Sequence, residues 1–155
     1  MRTALTAATL CFGFQTLLAS TGFAQSMSRP EDRVVRAGDT IIFTAPAPHK
    51  VRFGGTFAGV TLTPLAQITA LFTLTPPLPA DGVYTAGQTV TAKVNASPAA
   101  GATFQFTCGL HTDEMISNPF TVSAADGPVR TFKIKAAPGT KWVLEKSEVQ
   151  IDTTP

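Results

Sequence analysis

Residues 104–120 read F-Q-F-T-C-G-L-H-T-D-E-M-I-S-N-P-F. Phe104, Phe106 and Cys108 alternate as in a strand, where every second side chain shares a face. The run enters a short loop, and apolar residues resume at Phe120. That loop carries Cys108, His111 and Met115 in the spacing Cys-x2-His-x3-Met. Thiolate, imidazole and thioether are donors of graded softness, and copper suits the combination best. A fourth ligand has to come from elsewhere in the chain.

The N-terminus narrows the search. Arg2 precedes an apolar run, residues 4–19, and Gly22-Phe23-Ala24 offers small residues before a cut. This pattern predicts a secretory signal peptide over residues 1–24, cleaved after Ala24, and hence a periplasmic or otherwise exported protein. The run is shorter than the roughly 20 residues a membrane span needs. No later stretch is long and apolar enough to span, so no stable membrane insertion is expected. Removing 24 of 155 residues leaves 131, enough for one domain with a single core. Only Arg2 leaves with the leader among charged residues, so 11 basic residues face 10 acidic ones. That balance favours neither nucleic acid nor an anionic membrane as partner. Cys11 also leaves, and Cys108 remains as an odd cysteine in an oxidising compartment. An intermolecular disulfide, a reactive thiol and a metal thiolate would each account for it.

Outward from the central stretch, β-type patterns dominate. Residues 25–32 are polar and read as a flexible leader, and 33–36 as a short strand. Residues 40–45 (T-I-I-F-T-A), 50–53, 83–85, 89–94 and 120–124 read as strands, separated by Gly/Pro turns. Residues 61–74 fit a brief helix over 65–72 or a strand over 68–74, and an irregular crossover with a short helix is the preferred reading. Asn95-Ala96-Ser97 matches a glycosylation sequon, a pattern common by chance. Residues 129–135 and 142–151 alternate around a Pro138-Gly139 turn and predict a packed hairpin. Residues 125–155 are therefore read as an extension appended to a main domain at 33–124, with a disordered tail as the rival reading, against which Trp142 and Phe132 argue. Many short strands and no long helix indicate an all-β sandwich or barrel.

The mature chain has two histidines, His49 and His111, one cysteine and, inside the domain, one methionine. All of them fall in two short stretches, P-A-P-H-K-V and C-G-L-H-T-D-E-M. His49 is thus the candidate fourth ligand. Two imidazoles and a thiolate form a trigonal set, with a thioether as a weak axial donor. Zinc fits the same donors but carries no electron. The thiol must lose its proton to bind, so metal loading is expected to weaken in acid.

These motifs resemble those of the cupredoxins, the small type 1 blue copper proteins such as plastocyanin, pseudoazurin and amicyanin. The resemblance covers about residues 33–124. It rests on V-x-x-G-D-T-I-I-F over 35–43 with the strand before it, P-H-K-V at 48–51, and F-x-F-T-C-x-x-H-x-x-x-M at 104–115. It implies a Greek-key β-sandwich with one mononuclear copper on His49, Cys108, His111 and axial Met115. It further implies a monomeric one-electron carrier, not an enzyme, working with a c-type cytochrome or a copper or haem enzyme. Copper storage, delivery or sensing on the same fold is the alternative. Two histidines are too few for a second, catalytic copper. Lys50 stands where the family often has Asn, and Ser117-Asn118-Pro119 where a Gly often follows the methionine. Asp113 and Glu114 place two acids in the ligand loop and would favour a basic partner face.

Overall fold

The computed structural model describes residues 25–26, 30–137 and 141–149. The expected signal peptide (1–24), the Pro138-Gly139 turn and residues 150–155 lie outside them. The described residues form an all-β sandwich. One layer is a six-stranded sheet with spatial order β1-β13-β12-β3-β8-β7. Its members are β1 (Gln25–Ser26), β13 (Lys141–Val149), β12 (Arg130–Ala137), β3 (Thr40–Thr44), β8 (Thr89–Val94) and β7 (Phe72–Thr75). All neighbours are antiparallel except β12 and β3.

The opposite layer is split. Strand β11 (Phe120–Ser123) lies between β2 (Val34–Arg36), parallel to it, and β9 (Thr103–Phe104), antiparallel. Strand β10 (Thr107–Cys108) pairs antiparallel with β4 (Val51–Arg52). A small exposed hairpin, β5 (Thr56–Phe57) and β6 (Val60–Thr61), stands apart.

Alternation explains the layering. In β3, Ile41 and Phe43 are fully buried, and in β8 Val90, Ala92 and Val94 are buried. Their partners across the sandwich come from the central stretch. Phe106 meets Phe43 edge-on at 4.7 Å and lies near Phe120 at 5.9 Å. Phe104 stacks on Phe120 at 5.0 Å and takes Phe72 edge-on at 4.7 Å. Edge-to-face and offset geometries suit the ring quadrupole and add to the apolar burial.

The 61–74 stretch holds both of its competing readings in series. Helix α1 (Leu65–Leu71) buries Ile68 and Leu71, three residues apart on one face, and β7 follows at once. Residues 83–85 make one bridge, Val83 to Arg52, instead of a strand. The Thr85 N–H turns to Gln88 Oε1 at 3.1 Å, which ends the pairing. Asn95 is committed to packing: its side-chain nitrogen donates to the Ala70 carbonyl at 2.9 Å.

Two boundaries change. Of the expected flexible leader at 25–32, the described residues are tied into the fold. Gln25 and Ser26 pair with Leu144 and Val143 at the sheet edge, and Pro30–Arg33 form a 3-10 turn. Edge pairing uses backbone groups, which a polar sequence does not disclose. The C-terminal hairpin forms as expected, yet it is not an appendage. Strand β12 pairs with β3 through Phe132–Ile41 and Ile134–Phe43, in the middle of the large sheet. Phe132, Ile134, Ala136, Trp142 and Leu144 join the core. Asp39, fully buried, fixes the junction. Its Oδ2 accepts from the Arg36 N–H (2.9 Å) and from Arg130 Nη2 (2.8 Å), and its Oδ1 from the Arg130 N–H (2.8 Å). A carboxylate so deeply buried needs this many donors.

Candidate metal centre

The two ligand stretches meet through the β4–β10 ladder. Cys108 lies opposite Val51, which sets His49, two residues upstream, beside the cysteine. The ladder is extended by the Gly109 N–H donating to the Lys50 carbonyl at 2.9 Å. Position 109 has no room for a side chain. A Cβ there would lie 2.9 Å from Val83 Cγ1 and 3.3 Å from Lys50 Cβ. Lys50 therefore links the loops through its backbone.

Each ligand has its own local support. Pro46 follows β3 closely and lacks the N–H that pairing needs, so the chain turns there. The His49 N–H donates to the Pro46 carbonyl at 2.9 Å, and the His49 carbonyl accepts from Gly87 at 3.2 Å. On the other stretch, the N–H groups of Glu114 and Met115 donate to the His111 carbonyl at 3.3 and 3.0 Å, forming one helical turn. The buried Thr107 hydroxyl donates to the Thr112 carbonyl at 2.7 Å.

Three ligand atoms converge. Nδ1 of His49 lies 3.6 Å from Cys108 Sγ, and Nδ1 of His111 lies 3.9 Å from it. The three donors all fall within 4.8 Å of one another, a group that can hold a metal ion. The imidazole rings are 5.1 Å apart and tilted by 49°. Cys108 is fully buried, and both histidines are partly exposed. The Leu110 N–H points at the sulfur from 3.4 Å.

Met115 is 1% exposed and lies in the same core as Cys108. Its N–H is tied to His111, and its carbonyl accepts from Trp142 Nε1 at 2.8 Å. Asp113 and Glu114 are exposed on the loop, as is Leu110, at 51%. Tyr84 packs edge-on to Phe53, just beyond β4. Its N–H donates to the Val51 carbonyl, its hydroxyl donates to the Pro76 carbonyl at 3.1 Å, and burial pushes its phenol up to about 12.

Supporting residues had weaker signals in the sequence. Ser117 closes the gap between β9 and β10. Its hydroxyl accepts from the Phe106 N–H at 3.1 Å, and its N–H donates to the Phe106 carbonyl at 2.9 Å. Gln105 Nε2 donates to the Ser117 carbonyl at 2.8 Å. Trp142 was marked by being the chain's one tryptophan.

No family model matches this chain, and neither a curated protein nor a solved structure does. Function is therefore argued from the site, as a fold alone would not give it. No helix among the described residues is long and apolar enough to cross a membrane.

Proposed function

We propose that the protein is an exported type 1 copper protein that carries single electrons between redox partners. The observation that carries this reading is the convergence of two imidazole nitrogens on one buried cysteine sulfur. Such a donor set accommodates Cu(II) through nitrogen and thiolate, and Cu(I) through thiolate and thioether. His49, Cys108 and His111 would bind strongly, with Met115 as the weak axial ligand. The hydrogen bonds at Gly109, Thr107 and Ser117 would hold the ligand loop in one shape and so keep rearrangement between oxidation states small.

The surface also fits a carrier. The His111 ring is partly exposed with its Nδ1 3.9 Å from the buried sulfur, and the neighbouring Leu110 is exposed. A partner such as a c-type cytochrome or a copper or haem enzyme would receive the electron there. Asp113 and Glu114 would favour a partner with a basic face. Both histidines are taken by one metal, which leaves none for a second, catalytic copper.

Repeated one-electron reduction and oxidation of the copper-loaded protein, with a Cu(I) chelator present, tests this reading. A carrier cycles reversibly and keeps its metal. Ready transfer of Cu(I) to the chelator would assign storage or delivery instead.

A further inference from the structure

Trp142 lies on β13, 27 residues beyond Met115, in a segment the ligand motif does not include. Its indole Nε1–H donates to the Met115 carbonyl at 2.8 Å, in a buried bond. Its ring meets Phe106 edge-on, 5.2 Å away and 76° inclined. Phe106 precedes Cys108 by two residues, so one side chain braces both ends of the ligand loop. The peptide groups on the two sides of Met115 are thus both held. The one before it donates to His111, a ligand, and the one after it accepts from Trp142. A thioether is a weak donor whose contribution depends on how firmly it is held. Trp142 is anchored in turn by the hairpin, because β12 pairs with β3 at the centre of the large sheet.

We propose that Trp142 is a positioning residue for Met115, and that through it the C-terminal hairpin is energetically linked to the metal. The proposal rests on the copper reading above. It predicts that metal loading tightens the Trp142–Met115 bond, and that loss of this bond weakens the metal through Met115 alone.

Cu(I) is diamagnetic, and the full chain has one indole N–H to follow by proton NMR. On anaerobic Cu(I) loading, that resonance should shift and its exchange with solvent deuterium should slow about tenfold, the order of one strengthened buried hydrogen bond. In Met115→Leu, which keeps the two histidines and the cysteine, both changes should largely vanish. A second arm uses Trp142→Phe, which keeps a ring against Phe106 and removes the donor. Its Cu(I) affinity should fall about five- to tenfold, and the same substitution should change nothing in the Met115→Leu background. An indole resonance indifferent to Cu(I) overturns the proposal and leaves the copper site standing. So do equal affinity losses in both backgrounds. If Cu(I) fails to protect Cys108 from alkylation, the copper reading falls and this proposal with it. The NMR arm needs no Trp142 variant, so poor folding of Trp142→Phe does not blunt the test.

Discussion

The two stretches that carry the ligands are held very differently. His49 sits on a turn flanked by exposed prolines and fixed by two backbone hydrogen bonds, at 2.9 and 3.2 Å. The 108–115 loop is tied by backbone at Gly109 and His111, by the side chains of Thr107 and Ser117, and from the far hairpin by Trp142. The difference teaches where preorganisation resides. Three candidate ligands share one braced loop, and the fourth is brought to it by the short β4–β10 ladder. Most of the site's shape should therefore depend on residues around the loop, and little on the His49 turn.

The largest test of that contrast is Ser117→Ala. It strips the buried Phe106 N–H of its acceptor, and an orphaned buried donor costs about 1–3 kcal/mol. Urea unfolding of the metal-free protein should show a loss in that range. A loss under about 0.5 kcal/mol, the level of an ordinary surface change, would mean that the loop is not braced there.

Tyr84 probes the packing next to β4, which follows His49, with an effect confined to alkaline pH. The folded protein keeps the phenolic proton up to about pH 12, whereas the usual value is 10.0. Between these values the unfolded chain holds fewer protons, so stability falls as pH rises through the interval and is fully present below it. Tyr84→Phe should flatten that fall. The chain has one tyrosine, so tyrosinate absorbance reports it directly. Ionisation near pH 10 in the folded state would contradict the burial argument.

The smallest structural effect is expected from Asp113→Ala combined with Glu114→Ala. Both side chains are exposed, so stability should stay within about 0.5 kcal/mol. Electron transfer to a basic partner should slow at low salt and much less at high salt, because salt screens exposed charges. Unchanged rates at low salt would show that the acids do not guide docking.

These contrasts also mark what the sequence discloses. The Cys108–His111–Met115 spacing is local, and His49 follows by elimination because the chain has only two histidines. Strand alternation likewise made the sandwich class and the C-terminal hairpin legible. The hairpin's place was not. An inserted hairpin and an appended one alternate alike, and only the pairing of β12 with β3 and the Asp39–Arg130 bonds separate them. A lone tryptophan in the hairpin signals packing, but the bond of Trp142 to Met115 spans 27 residues and leaves no local pattern. The edge pairing of Gln25 and Ser26 was hidden for a related reason, since backbone hydrogen bonds carry no side-chain signature.

The central claim is a copper held by the Cys108 thiolate between His49 and His111. Adding Cu(II) to the metal-free protein and recording its visible spectrum is the sharpest check. An intense thiolate-to-copper band at one copper per chain, absent in Cys108→Ala, is expected. A colourless protein whose Cys108 remains free to alkylation would contradict it.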